Sequence, residues 1–358
     1  MLWMGGRRMV GAAAMRVEPD DVTSDWTRPG VFEVATGVYR IPLPLPQDGL
    51  RSVNVYALAG DDGLVLVDSG WAITAARQAL DAALAALGAS LADVRRFLVT
   101  HVHRDHYAMA VAVRREFGTT VSLGEGEEPA IRALSTPGRR PMSEHWQALI
   151  RCGAGEIVEA LRARAESAPH DPTDWAAPDD WLAGGTDVVL PTRTLRVVAT
   201  PGHTRGHVVF VDRDAQLMFT GDHVLPQITP SIGFEAVAAA LPLGDYLDSL
   251  RLVRSLPDQR LLPAHGPVGP SVHARVDELL HHHAKRLDQA CGVVRDAMTA
   301  YEAAGRLTWT RRERAFADLD LFNQMLAVTE TAAHLDLLVA QGRLKAADVD
   351  GVRRYAPA

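Results

Sequence analysis

The chain has 358 residues, of which 47% are hydrophobic and 23% charged, the composition of an ordinary soluble globular protein large enough for two domains. Its net charge of −7 offers no general attraction to nucleic acid or to an anionic membrane, and no apolar run approaches the ~20 residues that cross a bilayer. Two cysteines, Cys152 and Cys291, stand in no metal-binding spacing, which argues against a disulfide scaffold and for a reducing cytoplasm.

Residues 1–30 read as a flexible leader. Arg7 and Arg8 precede a weakly apolar stretch, 9–15, that is too short for a secretory signal, and Met15 is an alternative start. From Val31 the pattern turns strand-like, with short apolar runs at 38–41, 53–59 and 63–67 broken by Pro, Gly and Asp. A helix is expected over 71–87, closed by Gly88, then a strand at 96–100, a helix at 107–117 and a strand at 119–123. Residues 127–185 interrupt this rhythm as an insertion, helical over 142–167 and then loop-like. Strands resume at 187–190, 195–199, 207–212 and 216–220, followed by a helix at 246–256 and a strand at 260–263. Two sets of strands, each followed by helix, imply a two-sheet sandwich with helices outside, occupying residues 31–270.

The chemistry lies where strands end. The strand at 96–100 runs into His101-Val102-His103-Arg104-Asp105-His106, four ligand-type side chains in six residues. Chance produces such a run on the order of once in a thousand chains of this composition. Two residues apart in an extended turn, His101 and His103 point to one side, while Asp105 and His106 reach a second position. Three further strand ends supply His203 (in Pro201-Gly202-His203), Asp222 (after Gly221) and His265 (before Gly266). A single His or Asp at a strand end is usually structural; four such ends in one chain point to a metal centre.

Taken in order, Val67-Asp68-Ser69-Gly70, the His-x-His-x-Asp-His run, His203, Asp222 and His265 resemble the five motifs of the metallo-β-lactamase superfamily, over about residues 31–268. The resemblance implies an αββα sandwich with two divalent ions at one edge, zinc by the N and O donor set, with iron or manganese as alternatives. His101, His103 and His203 would hold one ion, and Asp105, His106 and His265 the other, with Asp222 bridging. Asp68 would hold the histidine loop without touching metal. A metal-bridging hydroxide would then be the nucleophile, and Asp105 and Asp222 the catalytic carboxylates. With no cysteine ligand and Asp222 present, the pattern looks more like the glyoxalase II and thioesterase-like branch, lactonases included, than like true β-lactamases. The expected substrate is a small acyl ester, thioester or lactone.

Trp146, Trp175 and Trp181 in the insertion read either as an apolar lid or as pins to the body, and Tyr107 as pocket lining or core. His281-His282-His283 reads as a solvated helical run. In the tail, 271–358, helices are expected at 272–300, 321–328 and 329–341, then a hairpin about Asp350-Gly351. Helix, helix, hairpin resembles the winged-helix domain appended to lactamase-beta-like endoribonucleases, which makes single-stranded RNA cleavage the alternative activity. The helix at 329–341 holds no Lys or Arg, so nucleic-acid binding by it is not expected. Packing or homodimerisation is the expected role of the tail.

Overall fold

The computed structural model describes residues 15–45, 49–139, 142–164, 171–310 and 312–358. A first sheet holds β1 (Val17–Pro19), β2 (Val31–Ala35), β3 (Val38–Pro44), β4 (Ser52–Gly60), β5 (Gly63–Val67), β6 (Val94–Val99), β7 (Thr120–Gly124) and β8 (Asp180–Leu182), in chain order. β2 to β5 form an antiparallel meander, and β5 to β8 run parallel. The second sheet holds β9 (Asp187–Val189), β10 (Thr194–Ala199), β11 (Val208–Asp212), β12 (Leu217–Gly221) and β13 (Arg260–Pro263), in the order 13-12-11-10-9. The helices are α1 (Thr74–Ala86), α2 (Arg104–Phe117), α3 (Glu128–Leu134), α4 (Ser143–Arg151), α5 (Gly155–Arg164), α6 (Pro242–Ser255), α7 (Val272–Val293), α8 (Ala300–Ala304) and α9 (Leu321–Ala340).

Alternation along the strands sorts the side chains into layers. On β4, Val53, Val55 and Ala57 face the helix layer with Leu80 and Leu84 of α1 and Val111 of α2. Tyr56 and Leu58 face the other way, against Phe210 and Phe219 of the second sheet. β11 and β12 turn Val209, Val211 and Met218 outward onto Leu250 of α6 and Val276 of α7. Both faces of each sheet are therefore buried, which is why these strands read as near-continuous apolar runs. The result is helix, sheet, sheet, helix: the αββα sandwich.

Several boundaries differ from expectation. Residues 1–14 of the proposed leader lie outside the described residues, but Met15 to Gly30 lie against the sheet. β1 pairs with β2, and Asp20 is buried beneath Arg40, both side chains only 2% exposed. The insertion is not one helix over 142–167. α4 stops at Cys152, Gly153 turns the chain at φ 78°, and α5 restarts at Gly155. It also ends in a strand, β8, which completes the first sheet. In the tail, α7 stops at Val293, and the two helices expected at 321–341 are one, α9. Thr329 begins nothing: its hydroxyl donates to the carbonyls of Met325 and Leu326 inside the helix. The hairpin is where the sequence puts it, with φ of 51° and 79° at Asp350 and Gly351, as a type I′ turn needs.

Arg40 also donates to the carbonyl of Trp26 and to Asn54 Oδ1. Replacing it with Ala strands Asp20 as a buried, unpaired charge. The Arg40→Ala protein should lose about 3–5 kcal/mol in urea unfolding, and the double variant Arg40→Met/Asp20→Leu should lose much less. Equal losses in the two would mean that the ion pair itself, not the stranded charge, sets the cost.

Candidate metal centre

One edge of the sandwich collects the strand ends. β5 runs into Asp68, β6 ends two residues before His101, β12 ends at Gly221 beside Asp222, and β13 ends two residues before His265. His203 sits in the loop after β10. α2 starts earlier than the expected 107–117, with His103 as its N-cap in extended conformation and Asp105 and His106 in the first turn. An acid there is favoured by the positive end of the helix. Beside Asp222, Gly221 has φ 49°, and a Cβ would fall 2.6 Å from Thr100 Oγ1 and 2.7 Å from His207 Nε2. Only glycine lets this strand end pass so close to the histidine loop.

The seven expected residues come together as two sets. His103 Nδ1 lies 3.0 Å from both His101 Nε2 and His203 Nε2. Asp105 Oδ2 lies 3.5 Å from His106 Nε2 and 3.3 Å from His265 Nε2. Asp222 faces both sets: Oδ2 is 3.5 Å from His203 Nε2, and Oδ1 is 3.4 Å from His265 Nε2 and 3.7 Å from His106 Nε2.

Each imidazole is fixed by its outer nitrogen. His103 Nε2 donates to the Phe234 carbonyl at 3.1 Å, His203 Nδ1 to Ser231 O at 2.8 Å, and His265 Nδ1 to Ser52 O at 2.7 Å. His106 Nδ1 donates to Asp68 Oδ2 at 2.9 Å, and His101 Nδ1 to Thr100 Oγ1 at 3.1 Å. Carbonyl and carboxylate partners force the outer nitrogen to carry the proton, so the inner one offers a lone pair. His106 Nε2, His265 Nε2 and Asp222 Oδ1 are buried and have no hydrogen-bond partner. Donors about 2.0–2.1 Å from a tetrahedral zinc stand about 3.3–3.4 Å from one another, and the spacings here, 3.0 to 3.7 Å, bracket that value. The residues fit divalent cations.

Charge agrees with the geometry. Burial holds His101 and His203 well below the usual histidine range and His103 down at about 4, so these three are neutral donors. Burial also works against a charge on His106, yet Asp105, Asp68 and Asp222 outweigh it and hold that imidazole well above its usual value. His265 is raised in the same way by Asp222 and Asp105. The pocket is a place of negative potential, where positive charge is stabilised.

Asp68 sits where the resemblance puts it, in a left-handed turn at φ 59°. Its Oδ1 accepts from the Thr100 backbone N at 2.8 Å while Oδ2 holds His106, so it ties the histidine loop without entering either set. Tyr107 and Trp175 are core. Tyr107 is fully buried, donates to Ala176 O at 2.6 Å and stacks on Trp175, which pins the insertion to the body. Trp146 packs among α4, α5 and the tail, and Trp181 is 37% exposed on β8, so the three tryptophans do not form one lid. His281 and His282 are exposed, but His283 is buried against His334, its Nδ1 3.3 Å from His334 Nε2.

Two groups that brace these loops, Asn54 and Glu127, were not legible in the sequence, whereas His207 was, as a residue beside the ligand loops that reads as a support for them or as core. Asn54 clamps the His265 turn: its Nδ2 donates to Pro263 O and Gly266 O, and its backbone N to Ala264 O. His207 Nε2 accepts the Asp222 backbone N–H at 3.2 Å. Glu127, fully buried, accepts from Val102 N at 3.3 Å and from the Thr204 hydroxyl, joining the loops of His101 and His203. No local pattern marks Asn54 or Glu127, because their partners are distant in sequence.

An α/β sandwich with five inward imidazoles and two carboxylates at one edge defines a metal-dependent hydrolase. The metallo-beta-lactamase superfamily model matches residues 48–265, and the chain belongs to that superfamily. It is 27% identical over 318 residues to the probable metallo-hydrolase YqjP of Bacillus subtilis, covering 84% of this chain and 91% of that protein. A metallo-beta-lactamase family protein of Thermus thermophilus superposes with TM-score 0.75 at 30% identity, covering 91% of this chain and 100% of that one. An atrochrysone carboxyl ACP thioesterase of Aspergillus fumigatus is 28% identical over 162 residues, 45% of this chain and 36% of that enzyme. The chain likewise spans less than half the length of several other curated relatives it matches.

Burial raises the Glu127 carboxyl to about 8, helped by Glu235 and opposed by its hydrogen bond from Thr204. A carboxyl raised in the fold stays protonated while the unfolded chain ionises near 4.5, so it disfavours the fold increasingly as pH rises from 4.5 to 8. In metal-free protein, Glu127→Gln should match the parent near pH 4.5 and exceed it at pH 8 by on the order of 2–4 kcal/mol. A stability difference that does not change across that range would show the carboxyl to be ionised. Asn54→Ala, which frees the His265 turn, should weaken metal binding about 10–100-fold in chelator competition; parental affinity would show the turn to be held by β13 alone.

Proposed function

We propose that the chain binds two divalent ions, zinc as the first candidate, and hydrolyses an acyl ester, with thioesters and lactones foremost. His101, His103 and His203 hold one ion, Asp105, His106 and His265 the other, and Asp222 places one oxygen toward each. The observation that carries this reading is the position of Asp222 between two complete donor sets. The likeness to a thioesterase supports the acyl substrate.

Bound there, divalent ions supply Lewis-acid polarisation of the scissile carbonyl and a water that ionises near neutral pH. The chain's own part is positional and protonic. The five imidazoles, locked by their outer hydrogen bonds, hold the donor geometry without rearrangement. The Asp105 side chain is 22% exposed and so reaches water. Its Oδ2 belongs to the donor set, so its other oxygen, Oδ1, would take a proton from the attacking water and return it to the departing alkoxide or thiolate. Ester and water give acid and alcohol, or acid and thiol, so no side-chain nucleophile enters the balance.

The tail is best read as a winged-helix-like packing element. Its order is α7, the short strand Met298–Thr299, α8, α9 and the hairpin Leu344–Val349/Val352–Pro357, with sheet order 298–299, 352–357, 344–349. The half of α9 that would have to read a nucleic-acid groove buries Thr331, His334, Leu335 and Leu338 in the body. That burial favours a structural role and the ester reading over RNA cleavage. Among the described residues no helix is long and apolar enough to cross a membrane.

Elemental analysis should find about two divalent ions per chain and fewer in Asp222→Ala. Acyl-thioester hydrolysis should fall more than about 100-fold in the variant, beyond what outer partners of a ligand command. Cleavage of an RNA oligomer that Asp222→Ala abolishes, with no thioester turnover by the parent, would replace this reading with the nuclease one.

A further inference from the structure

A row of rings leads from the metal centre to the tail. Phe234 lies in the loop after Asp222, and its carbonyl holds His103 Nε2. Its ring centroid is 6.1 Å from that of His103, 4.4 Å from that of His145 on α4, and 5.8 Å, edge-on at 80°, from that of Phe322. The loop, the insertion and α9 therefore meet beside the site, although 89 residues separate Phe234 from His145 and 88 separate it from Phe322.

Phe322 is the second residue of α9 and 49% exposed. α9 is anchored without it, through Met325, Val328, Leu335 and Leu338. Apolar surface left in water at such a position carries a free-energy cost that a dry contact would return. Next to a hydrolytic centre, the contact available is the substrate. Ile228, in the same loop as Phe234, is also exposed, at 42%.

We propose that Phe234 and Phe322 form an acyl wall: they receive the apolar acyl chain of the substrate, so the tail sets chain-length selectivity for a site built by the sandwich. This rests on the acyl-ester reading above and narrows it to substrates with a long apolar acyl group. Phe234 has two tasks, since its carbonyl orients His103 while its ring borders the chain. Phe322 has only the second, and it is the residue to test.

The experiment titrates zinc-loaded protein calorimetrically with straight-chain carboxylates from acetate to decanoate, the acids such esters would release. It also measures kcat/KM for thioesters of the same acyl lengths. Affinity should rise at least tenfold from acetate to decanoate. Phe322→Ala should flatten that rise to threefold or less, and so should Phe322→Lys, whose charge stays in water. Phe322→Leu should keep most of it. Phe117→Ala should keep all of it, because Phe117 is 44% exposed at the far end of α2 from the ligands. Affinity independent of chain length, or a rise untouched by both Ala and Lys, overturns the wall even if thioesters are hydrolysed. A chain-length rise lost in both variants, with no thioester or ester turned over, supports the wall and removes the acyl-ester reading instead.

Discussion

The Asp68 carboxylate is the contact on which the rest of the site depends. One oxygen accepts the backbone N–H of Thr100, and the other holds the ring of His106. The ends of β5 and β6 and the first turn of α2 are thereby fixed to one another by a single buried group. The neighbouring Ser69 hydroxyl adds a bond to the His106 carbonyl, and the Gly70 carbonyl one from the Met109 N–H. To reach these positions the chain must turn left-handed at Asp68 and again at Gly70, φ 59° and 91°. Strain of that kind in a non-glycine residue persists only where its surroundings over-determine it. Here they do, because Asp68 satisfies two loops at once.

The donors on the other sheet are held by different means toward the same end. β10, β12 and β13 deliver His203, Asp222 and His265 as strand ends. Carbonyls from elsewhere, of Ser231 and Ser52, then set the ring orientation of the two histidines. The backbone of Asp222 is fixed by His207, itself bound to the Thr200 hydroxyl. Each of the five inner imidazoles therefore has an outer partner fixed by the surrounding fold. Inward lone pairs crowded to 3.0 Å repel unless a cation lies between them, so this rigidity stores an affinity for metal that a flexible loop of the same composition would lose by relaxing.

What the sequence reveals of this follows from range. The strands before His101, Asp222 and His265, the candidate ligands themselves and the turn at Asp350-Gly351 are written locally, in runs of apolar residues and fixed short spacings. All seven residues that the structure gathers at this edge were legible on that basis, and Asp68 through its resemblance. Start and stop signals failed where tertiary contacts outvote local preference. Val17–Pro19 is too short and exposed to read as a strand, yet it is held by pairing to β2 and by the nearby Asp20–Arg40 ion pair. Thr329 looks like a helix start but lies inside α9, its hydroxyl spent on carbonyls of the preceding turn. Asn54 and Glu127 carry no signal, because each is defined only by what it meets more than a dozen residues away.

The loop between Asp222 and α6 joins the two halves of the molecule. It provides the carbonyls of Ser231 and Phe234 to His203 and His103, and those of Leu225 and Ile228 to Arg275 of α7. Gly233 of that loop has φ 86° and lies close to the Thr329 carbonyl of α9. Two histidines of one donor set are thus oriented by a segment that rests on tail helices. Loosening the tail would release this loop, and with it the outer partners of His103 and His203, while leaving those of His106 and His265 in place. The two donor sets therefore differ in what supports them: one depends on the sandwich alone, the other on the sandwich and the tail together.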